Sequence, residues 1–179
     1  MMSKQNKENV YYFILDMDGV LVEYRYNDKV FMTDRELKSV GAFLNRQPVD
    51  YIIKALNEFR KYNKAEFHVL SVAYTPQIEK EKRIWLQKNV PFILKNNVHF
   101  VASAKHKANY IDELFPLLQE DHKVIWKEKL NKKDIILIDD THETLYEVEK
   151  RGYTVWHPTT LMNIYYHELY LEPTIKTVL

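Results

Sequence analysis

The chain has 179 residues, 46% hydrophobic and 28% charged, which suits one globular domain with a real core and room for a small appendage. A formal net charge of +1 gives no reason to expect a nucleic-acid partner or a membrane surface. Cysteine is absent, which excludes disulfides, a thiolate nucleophile and a thiolate metal site, so any metal must be held by oxygen or imidazole. The polar segment Met1 to Asn9 has no apolar leader and no run approaches the ~20 apolar residues of a membrane span, so a cytoplasmic location is expected.

The first predicted strand is the apolar run Val10 to Leu15, followed at once by Asp16-Met17-Asp18-Gly19-Val20. About fifty residues then separate Asp18 from His68, longer than a simple crossover needs, so an insertion is expected. It holds a polar, aromatic segment from Tyr24, a short helix candidate at Thr33 to Leu44, and an amphipathic helix at Pro48 to Tyr62. That last helix carries Val49, Ile52, Ile53, Leu56 and Phe59 in one apolar stripe. Residues 24–63 are read as a small helical cap, and residues 1–23 and 64–179 as the core domain.

Beyond the cap, Glu66 to Val72 reads as a strand. Thr75-Pro76 reads as the N-cap and first residue of a helix running to about Asn89, with Pro91 marking its end. Strands are expected at Val98 to Ala102, Asp134 to Ile138 and Tyr153 to His157, with the lysine-rich stretch Lys123 to Lys133 as a solvated face. A helix from about Thr141 to Arg151 should stop at Gly152, the residue best able to take a left-handed cap. Such alternation predicts an α/β fold with a doubly wound, mostly parallel sheet. With three glycines in the chain there is no glycine-rich phosphate loop. In the tail, Leu161, Ile164, Tyr165, Tyr166 and Leu169 form a helical apolar pattern suited to the core or to a dimer seam.

The chemistry concentrates where two strands end in acids, Asp16 and Asp18 after the first and Asp139-Asp140 after the fourth. Open α/β sheets bind ligands at the carboxyl ends of their strands, and four carboxylates in one crevice are costly without a cation. A carboxylate at a strand end can attack phosphorus, and Asp16 is the candidate nucleophile. Asp18 could protonate the departing alcohol and then activate water, and Gly19 lets the backbone turn sharply and approach a phosphate. An ordinary acidic turn is the other reading of Asp-X-Asp-Gly alone. His68, His142 and His157 lack metal-ligand spacing, and Trp85, Trp126 and Trp156 read as packing.

These motifs together resemble the haloacid dehalogenase-like hydrolase superfamily: a strand ending in Asp-X-Asp, a strand ending in Ser or Thr, a downstream Lys, and a strand ending in paired acids. The resemblance places Ser71, at the end of Phe67-His68-Val69-Leu70-Ser71, on a phosphoryl oxygen. It makes Lys107 the residue that neutralises phosphate and nucleophile, with Lys105 as competitor. It implies Mg²⁺ held by Asp16, the Asp18 carbonyl and Asp140 directly, with Asp139 helping through water. Asp139 could alternatively serve a helix N-terminus.

Within the superfamily the chain is similar to the 5'(3')-deoxyribonucleotidases, through Asp16-Met17-Asp18-Gly19-Val20-Leu21, Ala42-Phe43-Leu44 to Pro48, Lys82-Arg83-Ile84-Trp85-Leu86 and Leu137-Ile138-Asp139-Asp140. This implies a Mg-dependent phosphatase acting through an aspartyl-phosphate on a small phosphomonoester, a 5'-nucleotide or deoxynucleotide. Tyr24, Tyr26, Phe31, Phe43, Arg25 and Arg46 of the cap would recognise the substrate, although cap aromatics also fill a cap's own core. Other phosphomonoesters, or a non-catalytic nucleotide-binding module, are the alternatives.

Overall fold

β1 (Val10–Leu15) has five of its six residues buried, as befits a central parallel strand covered on both faces. The computed structural model of the chain describes residues 10–23, 40–41, 43–62 and 64–161. After β1 come α1 (Asp50–Tyr62), β2 (Lys64–Val72), α2 (Pro76–Asn89), β3 (Val98–Val101), α3 (Lys107–Trp126), β4 (Ile135–Ile138), α4 (His142–Glu149) and β5 (Thr154–Trp156). The five strands form one sheet in the order β3-β2-β1-β4-β5, every described pair parallel. This is the α/β architecture that the strand-helix alternation predicts.

Alternation along the strands divides the interior into two layers. Phe13 and Leu15 of β1, Phe67 and Val69 of β2 and Ile136 and Ile138 of β4 share one cluster with Val49, Ile52 and Leu56 beside α1 and Trp85 and Leu86 of α2. Tyr12 and Ile14, Leu70, Ile135 and Leu137 share the other with Ala108, Ile111, Leu114 and Leu118 of α3 and Leu145 and Val148 of α4. Phe13 sits opposite both Phe67 and Ile136 in register, and its ring stacks on Phe67 with centroids 5.3 Å apart. The helices thus cover both faces, and the chain reverses its winding between β1 and β4.

Local chemistry sets the element ends. Thr75 takes an extended backbone and its hydroxyl accepts from the Ile78 N–H at 3.2 Å, with Pro76 at the first helical position. α4 ends at Glu149, and the turn after it closes at Gly152, which donates its N–H to the Glu149 carbonyl at 2.8 Å and takes a φ of 91° that a β-carbon would strain. Among the described residues, no helix is long and apolar enough to cross a membrane.

Three features differ from the sequence reading. α1, grouped there with the cap, lays its apolar stripe into the sheet's core, because Ile52 and Leu56 bury almost completely among β1 and β2 side chains. The described end of the Thr33 to Leu44 helix candidate, Val40, Gly41, Phe43 and Leu44, is turn, with Gly41 at φ 83°. α3, expected from the sequence only as an unbounded helical stretch between two strands, runs for 20 residues with Pro116 inside it. Residues 24–39 of the expected cap and the tail from Met162 lie outside the described residues.

Leu56 is 1% exposed within the cluster that holds Phe13 and Phe67. Leu56→Ala should therefore cost about 2–5 kcal/mol of stability in urea unfolding. A cost under ~1 kcal/mol would detach α1 from the sheet core.

Candidate active site

Parallel pairing sets Leu15 of β1 level with Ile138 of β4, so the residues that follow, Asp16 and Asp139, emerge side by side. The Asp16 N–H extends the ladder to the Ile138 carbonyl at 2.9 Å, and the Asp139 N–H reaches the Trp156 carbonyl at 3.3 Å. Both acids lie at the carboxyl edge between β1 and β4, where the winding reverses and the crevice of an open sheet forms. Asp16 and Asp139 are buried and Asp140 is half-buried, and one carboxylate oxygen from each lies within 4.8 Å of the others.

Lys107, the first residue of α3, fills the gap between the strand ends. Its Nζ lies 2.8 Å from Asp16 Oδ2 and 2.7 Å from Asp139 Oδ2, and the lysine side chain is 2% exposed. Burial alone would lower Lys107, but Asp16 and Asp139 outweigh it and hold its ammonium above the usual lysine value. Burial raises the Asp16 carboxyl to about 7, against the pull of Lys107 and with the push of Asp139. Burial and then Asp139 also raise Asp140. Asp139 spends its second oxygen on the Thr141 N–H at 2.9 Å, at the start of α4.

Met17 to Val22 form a tight turn past β1. The Leu21 and Val22 N–H groups return to the Met17 carbonyl, and Gly19, at φ 76°, donates its N–H to the Val22 carbonyl at 2.9 Å. This turn takes Asp18 out of strand alternation, and its carboxylate meets two cations. Lys82 Nζ of α2 lies 2.5 Å from Oδ2, and Arg46 lies 3.0 Å from Oδ1. Lys82 also donates to Ser71 Oγ at 2.9 Å and to the Val72 carbonyl at 2.8 Å.

Its neighbour Glu81 is buried too. It accepts from the Gly41 N–H at 2.7 Å, the Phe43 N–H at 3.1 Å and the Gln77 amide at 2.8 Å. The segment that carries Arg46 is thereby pinned to α2, and Trp85 Nε1 secures the Arg46 carbonyl at 2.8 Å.

The sequence-predicted residues divide accordingly. Asp16, Lys107, Asp139 and Asp140 converge on one point at the sheet edge, and Asp18, Ser71 and Arg46 gather around Lys82 beside it. Lys105, the competitor of Lys107, is exposed. Phe43, a candidate either for stacking on substrate or for packing, is 4% exposed, packs edge-on to Trp85 and lies beneath the Arg46 and Lys82 head groups, so its ring belongs to the core. Gly19 spends its N–H on its own turn. Tyr24, Tyr26, Phe31 and Arg25 lie outside the described residues. Among the described residues no histidine joins a potential metal cluster.

Sequence reasoning assigned no role to Lys82 or Glu81. A signal was present: Ile78, Glu81, Lys82, Trp85 and Leu86 occupy one buried helical stripe, so two charges fall where the pattern demands apolar residues.

No protein-family model and no curated protein matches the chain. Similar solved structures include D,D-heptose 1,7-bisphosphate phosphatase from Burkholderia thailandensis, with TM-score 0.47 and 9% identity over 80% of this chain and 74% of that one. They also include the N-terminal part of a Bacteroides fragilis protein containing a phosphatase domain complexed with Mg, with TM-score 0.56 and 16% identity over 92% of this chain. This chain spans 41% of the length of that second structure, and the likeness shows a shared fold.

Removing the lysine between two buried carboxylates leaves charge uncompensated, so Lys107→Met should cost about 3–5 kcal/mol in urea unfolding. Lys105→Met, at an exposed site, should leave the midpoint where it is. Equal effects of the two substitutions would overturn the bridging role of Lys107.

Proposed function

We propose that the chain is a magnesium-dependent phosphatase that hydrolyses a small phosphomonoester through an aspartyl-phosphate. The observation that carries this reading is the buried Asp16 carboxylate at the sheet's switch point, held 2.8 Å from Lys107 with Asp139 and Asp140 beside it. The order of acids, serine, lysine and paired acids along the chain, which resembles the haloacid dehalogenase-like hydrolases, supports the same reading.

The donor set fits a hard divalent cation, since it consists of carboxylate oxygens without sulfur or imidazole, pressed together at a buried edge. Asp16 and Asp140 would hold it, with the Asp18 carbonyl. Asp139 has both oxygens engaged by Lys107 and Thr141 and is the less available of the paired acids. When bound, magnesium supplies charge neutralisation and a fixed orientation for the phosphate. The B. fragilis domain that shares the fold is itself complexed with Mg.

The residues divide the work as follows. An Asp16 oxygen attacks phosphorus and the ester P–O bond breaks, its electron pair leaving with the alcohol oxygen, which takes a proton from the Asp18 carboxyl. Asp18 then accepts a proton from water as that water's oxygen attacks the acyl-phosphate, releasing inorganic phosphate and the Asp16 carboxylate. Lys107 offsets the repulsion between the nucleophile and the phosphoryl oxygens.

A nucleoside monophosphate is the substrate we assign, on the resemblance of Asp16 to Leu21 and Lys82 to Leu86 to the deoxyribonucleotidases. Arg46, partly exposed beside Asp18, is suited to substrate oxygens. With Phe43 buried, base recognition falls to the segment that carries Tyr24.

Phosphate release from nucleoside 5'- and 3'-monophosphates, deoxy and ribo, alongside sugar phosphates, tests the assignment. Turnover is expected with Mg²⁺, lost with EDTA and lost in Asp16→Asn. Faster turnover of sugar phosphates would overturn the nucleotide assignment, and an active Asp16→Asn protein would overturn the covalent route.

A further inference from the structure

Lys82 is an ammonium in a place built for an apolar side chain. Its side chain is 3% exposed, on the stripe by which α2 packs against the sheet, and three oxygens meet its head group: Asp18 Oδ2 at 2.5 Å, Val72 O at 2.8 Å and Ser71 Oγ at 2.9 Å. Burying such a charge is costly unless each of its protons is used, and here three acceptors match three N–H groups. Asp18, by contrast, keeps 24% of its side chain exposed. The lysine therefore grips Asp18 from the protein side while the acid's other oxygen, beside Arg46, stays near solvent.

We propose that Lys82 is a positioning residue for phosphoryl transfer, which fixes the Asp18 carboxyl and the Ser71 hydroxyl relative to each other so that Asp18 serves the leaving-group oxygen. The proposal rests on the phosphatase reading above. Asp18 lies in a turn beyond β1, where strand pairing no longer sets its direction, and Ser71 lies at the end of β2. Lys82 is the group that ties the turn to that strand. Glu81, one residue before it, clamps the Gly41 and Phe43 backbone, so adjacent residues of one helix turn hold both Asp18 and the segment that brings Arg46 to it. Proton transfer needs the acid held within hydrogen-bond reach of the leaving oxygen, and loss of that alignment lowers the rate without abolishing binding.

The test uses two substrates that differ in their need for an acid: an alkyl phosphate, whose alkoxide leaving group must be protonated, and p-nitrophenyl phosphate, whose phenolate leaves unaided. kcat/KM is the quantity compared, because it reports the first transfer and not hydrolysis of the acyl-phosphate. Lys82→Met is expected to lower kcat/KM by on the order of 10²-fold for the alkyl ester and by less than about tenfold for the nitrophenyl ester. Asp18→Asn should show the same bias more strongly. Lys82→Arg, which keeps the charge on a longer, forked head, should show it more weakly, and that variant carries the comparison if Lys82→Met does not fold.

Equal losses on both esters from an active parent protein would make Lys82 a phosphate-binding or merely structural residue and overturn the proposal. A parent inactive on both esters, with Mg²⁺ present, would remove the phosphatase reading and this role with it.

Discussion

Asp16 and Asp139 stand side by side because β1 and β4 pair in parallel with Leu15 opposite Ile138, and out of water two such carboxylates repel unless a cation lies between them. Lys107 is that cation. Its position at the start of α3 ties the entry of the helix to the edge of the sheet, so one buried ion triad links the crossover from β3 to the ends of β1 and β4. Buried charges of this kind add little net stability compared with apolar packing. Their effect here is to hold the acids at a defined spacing, with the half-buried Asp140 beside them.

A second set of buried charges performs a similar task on the neighbouring side of the site. α2 gives up two positions of its apolar stripe to Glu81 and Lys82, and both are fully partnered. The helix thereby holds the turn after β1, the end of β2, Gly41 and residues 43–46 in one arrangement. In the phosphatase proposed above, this would preorganise the charges around the leaving group, so that they do not have to be reorganised during the reaction. The energetic cost of two charges inside a helix-sheet interface is intelligible if the interface has to specify geometry as well as cohere.

The five strands were legible to within a residue or two, because buried parallel strands read as short apolar, β-branched runs bounded by turn residues. The Thr75 cap and the Gly152 stop were legible for local reasons, a hydroxyl that accepts a helix N–H and a backbone that a β-carbon would strain. The bounds of α3 were not legible from sequence, although Ala108, Ile111, Leu114 and Leu118 recur at helical spacing. Pro116 inside the helix and exposed apolar residues such as Leu117, Val124 and Ile125 blur the contrast between faces on which periodicity depends. That the apolar stripe of α1 packs into the sheet's core was likewise invisible: such a stripe states that a face is buried and not against what.

The sequence by itself determined the strand-helix alternation, the parallel sheet and the identity of Asp16, Asp18, Asp139 and Asp140 as acids that end strands, because these follow from local patterns of side-chain polarity. Only the tertiary structure decided that Lys107 and not Lys105 enters the acid cluster, that Phe43 is a core residue, and that Lys82 reaches Asp18 and Ser71. The physical reason is that each of these depends on where a helix sits over the sheet. Lys105 and Lys107 are two residues apart in the chain, yet one is exposed and the other lies between two carboxylates. Lys82 and Asp18 are 64 residues apart in sequence, and packing of α2 on the sheet brings them into contact.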